Sequence, residues 1–218
     1  PLTLLLSRLY KTNPKMLFRF FIVGLAACAA FGPGQVQAQN PRVQIPFELH
    51  DKSLKLTEWA KQPMLLNPVA LSFDYQGRLF VVETARRGTV DIDIRAHKEW
   101  VIDDLSNQNI PQLRKMFRSK MAPELSEQNK SWLQDRNQDG SHDWRDLMAV
   151  KERIHLLQDT DDDGKADVAK VFAEGFNQEI NGVMAGVLPY RGDVFATIYP
   201  DVWKLNDTDH DGYADKRE

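Results

Sequence analysis

Cysteine is almost missing from this chain: Cys28 stands alone among 218 residues. One thiol closes no intrachain disulfide, builds no zinc-thiolate cage and cannot supply the paired cysteines of a covalent haem site. There is also no Gly-x-Gly-x-x-Gly run, which removes the phosphate-cradling turn of nicotinamide-dependent dehydrogenases. Neither sign of charge dominates. Lys and Arg number 28 against 31 Asp and Glu, a net of -3, so the basic surface that holds nucleic acid is lacking. The longest apolar run, Phe20 to Phe31, is shorter than the roughly 20 residues that span a bilayer. A hydrophobic content of 42% is that of an ordinary folded chain, sized for one domain or part of a larger protein.

The N-terminal residues read as a targeting segment. Residues 1–15 precede Met16, where translation is expected to begin. From there a basic Arg19, the apolar run, a Gly/Pro break and the small-residue site Val36-Gln37-Ala38 make residues 16–38 a secretory signal peptide, which predicts a periplasmic or secreted protein. Leu25-Ala26-Ala27-Cys28 also resembles a bacterial lipoprotein box, and acylation there would tether the chain to a membrane. Cleavage after Ala38 would instead leave no cysteine, so both processing routes stay open.

What the chain does have is acid at fixed spacing. Asp207, Asp209, Asp211, Gly212, Asp215 and Glu218 place carboxylates at loop positions 1, 3, 5, 9 and 12 with Gly at position 6, the oxygen-ligand pattern that wraps one Ca²⁺. Asp135, Asn137, Asp139, Gly140, Asp143 and Asp146 repeat it, as do Asp159, Asp161, Asp163, Gly164 and Asp167. Solvated turns need neither acids on alternate positions nor Gly at one fixed place. Position 12 is Glu218 in one loop, the shorter Asp146 in another and Lys170 in the third, so the loop at Asp207 is expected to bind tightest and that at Asp159 weakest.

The flanks of these loops are not the helices of an EF-hand. Arg153–Gln158, Val168–Ala173 and Asp201–Asn206 are short and rich in β-branched or apolar residues, which predicts strands. Residues 39–62 are irregular with a short strand expected over Ser53–Ala60. Val69 to Thr84, turning at Asp74-Tyr75-Gln76-Gly77, and Val183 to Ile198, turning at Arg191-Gly192, predict hairpins. Val90, Ile92 and Ile94 alternate with Asp91 and Asp93 and are expected to extend the first sheet. Over residues 97–134 the period changes: Leu113, Met116, Phe117 and Met121 recur at helical spacing after Pro111, a helical insertion whose Arg114, Lys115, Arg118 and Lys120 read as a solvated face. The five histidines show no ligand spacing and also read as solvated. Asp159 and Asp207 stand 48 residues apart, close to the ~40–50 residues of a four-stranded propeller blade. The predicted fold is therefore all-β, an incomplete β-propeller of about two blades over residues 63–218.

NPVALSFDYQGRLFVVET, ERIHLLQDTDDDGKADVAKVFAEGFN and PDVWKLNDTDHDGYADKRE resemble the N-terminal propeller of the large secreted membrane-bound dehydrogenases of Planctomycetes and Verrucomicrobia, itself similar to quinoprotein sugar dehydrogenases. The resemblance implies Ca²⁺, pyrroloquinoline quinone, a sugar or alcohol substrate, and electrons passed to a haem-bearing cytochrome c domain outside these residues. The family's histidine base has no counterpart in Phe176-Asn177-Gln178-Glu179-Ile180-Asn181-Gly182, where Glu179 is the group able to take a proton. Glu83, Arg86 and Arg87 after one strand, with Asn177 and Asn181 before the next, are candidates to hold a sugar or a quinone carboxylate. Loop residues that satisfy one another are the alternative. The competing function is a non-enzymatic, calcium-stabilised propeller that binds carbohydrate or a protein partner.

Overall fold

A computed structural model of the chain describes residues 50–218 apart from 52, 55 and 56. The expected signal peptide and Cys28 lie outside the described residues. The chain divides into two compact units, Pro1–Leu54 and Lys55–Glu218. In the first, the amide and hydroxyl of Ser53 both donate to Asp51 Oδ1, at 2.8 and 2.7 Å. Among the described residues no helix is long and apolar enough to cross a membrane.

The second unit is mostly strand. β1 (Pro68–Phe73), β2 (Leu79–Glu83), β3 (Glu152–Gln158) and β4 (Val168–Gly175) form one antiparallel sheet in that order. β5 (Met184–Tyr190), β6 (Asp193–Ile198), β7 (Asp201–Asn206) and the two-residue β8 (Lys216–Arg217) form a second. The first hairpin closes because Asp74 Oδ1 accepts the amides of Gln76 and Arg78, both at 2.9 Å, and Gly77 takes a φ of 78°.

Alternation along the strands decides what each sheet buries. Phe80, Val82, Ile154, Leu156 and Phe172 leave the back of the first sheet and meet Val194, Ala196, Ile198 and Leu205 from the front of the second, all buried in one core. β5 packs against β1 and β2. In such a meander the β1–β2 and β3–β4 turns lie along one edge of the sheet, while the β2–β3 and β4–β5 connections lie along the opposite edge. The tips of the two hairpins share a groove, lined by Phe73, Tyr75, Tyr190 and Arg191, so both sheets point their turns the same way.

Two expected strands do not form. Ser53–Ala60 is turn and coil at its described positions. Beyond β2, Val90 is buried with Trp100, Met121, Leu133 and Leu147, and Ile92 and Ile94 pack on the same cluster. Their alternation thus serves a second core, and Asp93 caps a 3₁₀ turn over Ile94–Ala96 by accepting the Arg95 amide at 3.0 Å. The rest of the β2–β3 connection carries short helices, α1 (Val101–Ser106), α2 (Ile110–Lys120) and α3 (Ser126–Asn129), then the first acidic loop and a 3₁₀ turn at Trp144–Met148. α2 begins where Asn109 accepts the Gln112 amide at 3.0 Å and Pro111 fits the first turn.

Candidate metal centres

The three acidic loops share one backbone path. Gln138, Asp162 and His210, at position 4 of each, take φ of 61°, 59° and 62°, and Gly140, Gly164 and Gly212, at position 6, take 85°, 84° and 92°. The Gly amide donates to the first Asp of its loop at 3.0, 2.9 and 3.0 Å. Two consecutive returns through the left-handed region curl the chain around the side chains at positions 1, 3 and 5, and glycine takes the second at no steric cost. The amide at position 7 donates to the Asp at position 5 in every copy, at 2.8, 2.8 and 2.7 Å.

In two loops this path gathers carboxylates. One oxygen from each of Asp159, Asp161 and Asp163 lies within 4.8 Å of the others, and Asp207, Asp209 and Asp211 do the same. The two triads occupy equivalent places, the turns β3–β4 and β7–β8. Asp167 and Asp215, at position 9, close their loops on a threonine: Thr160 Oγ1 donates to Asp167 Oδ2 at 2.5 Å, and Thr208 Oγ1 donates to Asp215 Oδ2. The threonine hydroxyl bond is the main reason that both carboxyls sit below the usual carboxylate range.

Position 12 falls elsewhere than the sequence spacing predicts. Glu218 lies across the ladder from Lys204, exchanging both backbone hydrogen bonds with it, and its carboxylate is 2.9 Å from Lys216 Nζ. Lys170 Nζ donates to the carbonyl of Asp211 at 3.2 Å. In both hairpins the next strand begins at position 10, so Lys170 lies within β4 and Glu218 directly follows β8.

The first loop is built differently. Asp146 is fully buried; Oδ1 accepts the amides of Arg136 and Asn137 at 2.7 and 3.2 Å, and Oδ2 accepts the amide of Asp143 at 2.9 Å. Asp143 accepts from Arg145 N, Arg145 Nη1 and Ser141 Oγ. Asp143 and Asp146 thus form a reciprocal cap for the turn at Trp144–Met148. Asn137 and Asp139 bond to each other at 3.0 Å, whereas Asp135 Oδ1 is buried and accepts no hydrogen bond. An orphan carboxylate oxygen, two carboxylate triads and hard oxygen donors throughout fit a hard divalent cation.

Of the residues expected to hold a sugar or quinone, all but Arg87 have other partners for their side chains. Arg86 is fully buried: Nη1 donates to the carbonyls of Leu147 (2.7 Å) and Val150 (2.8 Å), and Nη2 to that of Asn181 (2.8 Å). Burial lowers its pKa, a shift that the nearby charge of Glu152 opposes. Glu152, also fully buried, accepts the amides of Ala85, Arg86 and Met184 and the Thr84 hydroxyl at 2.9–3.0 Å. Sequence reasoning missed Glu152, because one acid at the head of an apolar strand carries no spacing signal. Asn181 accepts the Gln178 amide at 2.8 Å, and the Asn177 amide group donates to Met148 O. Glu83 takes the Leu66 amide and lies 2.8 Å from His155 Nε2. Arg87 is exposed.

Glu179 is 1% exposed, 2.7 Å from Arg118 Nε and 3.7 Å from Arg114 Nε. The face of α2 expected to be solvated is therefore partly spent on this acid, and Lys120 Nζ meets Asp103 at 2.5 Å. Three histidines also depart from the solvated reading: His155 Nε2 lies against Glu83, His97 stacks on Trp100 with ring centroids 4.0 Å apart, and His142 Nδ1 lies 2.7 Å from the carbonyl of Leu133.

The chain belongs to the family described as a domain of unknown function, DUF7133, whose model matches residues 47–218. No curated protein and no solved structure matches it.

Proposed function

We propose that residues 63–218 are a calcium-clamped segment of a β-propeller in a periplasmic or secreted protein, in which bound Ca²⁺ fixes the turns between the third and fourth strands. The observation that carries this reading is the pair of aspartate triads, Asp159/Asp161/Asp163 and Asp207/Asp209/Asp211, at the same turn of two successive sheets. Three carboxylates at this separation repel one another unless a cation stands between them, and oxygen-only donors suit Ca²⁺ over softer metals. The propeller reading is supported by two consecutive four-stranded meanders packed face to face with their first strands adjacent. The signal-like residues 16–38 support the location.

The resemblance carries a further proposal, a quinone-dependent oxidation of a sugar or alcohol. For these residues the geometry favours the alternative, a scaffold that binds carbohydrate or a protein partner. Glu179, the expected base, is buried and held by Arg118 and Arg114, and Arg86 and Asn181 satisfy the protein's own carbonyls and amides. A carboxylate that is 1% exposed and holds an arginine on Oε1 has no open approach for an alcohol.

The test is calcium titration of the full chain by calorimetry, followed by elemental analysis. At least two ions per chain are expected, and the Asp159→Ala and Asp207→Ala variants should each lose one. No binding up to about 1 mM Ca²⁺, the weak end for extracellular sites, would overturn the reading. Dye reduction with added quinone and a panel of sugars, abolished by Glu179→Gln, would restore the enzymatic reading.

A further inference from the structure

The two sheets are covered in front by different things. The front of the second sheet, which includes Val194, Ala196, Leu205 and the loop residue Ala214, lies against the first sheet, and the amide of Ala214 donates to the carbonyl of Phe172 in β4 at 2.7 Å. One repeat earlier the corresponding positions are Leu79, Val81, Leu157 and Ala166, by the register that pairs Leu79 with Leu157 as Val194 pairs with Leu205. These residues are buried too, yet among the described residues no sheet lies over them. Trp59, Ala60, Met64 and Leu65 cover them instead, and the amide of Ala166 donates to the carbonyl of Trp59, also at 2.7 Å. The same loop position makes the same bond at the same length, once to an outer strand and once to an irregular segment.

We infer that residues 57–66 are a strap that stands in for the outer strand of a preceding sheet and seals the outer front of the first sheet. It is fixed at both ends: Trp59 binds Ala166 and sets its ring edge-on to Phe73 at 6.2 Å, while the Leu66 amide donates to Glu83. Asn67 continues the anchor by exchanging hydrogen bonds with Thr84, at 2.8 and 3.2 Å. A stack of repeats needs such a cap wherever an apolar face has no neighbour.

The strap leaves one strip of that front open. Val69, Leu71 and Phe73 of β1 are 44%, 62% and 56% exposed. Their neighbours across the ladder are buried, and Val187, which occupies in β5 the place of Leu71 in β1, packs into the core between the sheets. The occupant that fits this strip is the innermost strand of another four-stranded sheet, which would meet the first sheet along β1 alone because the strap already covers β2 and β3. This part rests on the propeller reading; the strap itself does not.

Hydrogen exchange on the full chain, wild type against Trp59→Ala, tests the strap. The amides of Leu66 and Ala166 should exchange at least about tenfold faster in the variant while Ala214 keeps its wild-type rate. Unchanged protection at Ala166, or loss at Ala166 and Ala214 together, would overturn the proposal. For the open strip, Leu71→Lys should keep the wild-type melting temperature, whereas Val187→Lys should lower it by about 5 °C or more. Equal losses would show that the strip is already covered and would leave the strap standing.

Discussion

The two edges of the paired sheets treat charge in opposite ways. Along the turn edge, Asp161, Asp163, Asp209 and Asp211 are exposed and gathered; Lys170 Nζ reaches the carbonyl of Asp211, but among the described residues no cation pairs with their carboxylates. Along the connection edge, Arg86, Glu152, Asp146 and Glu179 are almost fully buried, and each spends its charge on backbone amides, carbonyls or an ion pair. A buried charge has to be satisfied by the protein that buries it. An exposed cluster of one sign is screened by solvent and needs no partner from the protein. The first acidic loop lies on the connection side and follows that side's rule: it keeps the backbone path of the other two loops but turns Asp143 and Asp146 inward as a cap.

The largest expected effect comes from breaking the buried side. Glu152→Ala removes the acceptor of three amides and a hydroxyl and takes away the carboxylate whose charge supports the buried Arg86 guanidinium. A loss of about 3–5 kcal/mol is expected in a denaturant melt. Glu152→Gln should recover part of it, since one amide oxygen can still accept.

Calcium removal probes the exposed side. A cation bound only to the folded state at about 100 times its dissociation constant adds about 2.7 kcal/mol, so chelation should lower the melting temperature by a matching amount. The protection of Asp163, Gly164, Asp211 and Gly212 amides should fall with it. An unchanged melt, with calcium loss confirmed by elemental analysis, would sink the clamp.

A smaller effect separates a structural Glu179 from a catalytic one. Its partner Arg118 is 44% exposed in its side chain, so solvent screens the pair and Glu179→Gln should cost only about 1 kcal/mol. Loosened exchange at the α2 amides, with any activity of the full protein unchanged, is the expected pattern.

The smallest effect is a surface titration. Asp93 is pulled from its ordinary 3.8 to about 2, first by the hydrogen bond from the Arg95 side chain and then by that from the Arg95 amide. A carboxyl depressed in the folded state contributes its share of stability above the unfolded value and loses it as pH falls through about 2. Carbon-detected titration should find that midpoint in the wild type and a return toward 3.8 in Arg95→Ala. A wild-type midpoint near 3.8 would remove the pair.

The sequence by itself determined the local features. Period-two alternation with the turns Asp74-Tyr75-Gln76-Gly77 and Arg191-Gly192 places both hairpins, the flanks of the second and third acidic loops are strands as their composition predicts, and the 48-residue spacing of Asp159 and Asp207 marks the repeat that the two sheets realise. Alternate acids with a fixed Gly identified the triads, because the left-handed positions and the side-chain bonds that gather the carboxylates all lie within a few residues.

Only the tertiary structure decided what the other polar residues do. Glu179 meets Arg118 across 61 positions and Arg86 reaches Asn181 across 95, distances over which no pattern in the chain speaks. The same limit explains the missed strap and the false strand at Val90–Ile94. Alternation says that a side chain will be buried, while the surface that buries it, a neighbouring sheet, a helical insertion or an irregular segment, is set by how distant elements pack.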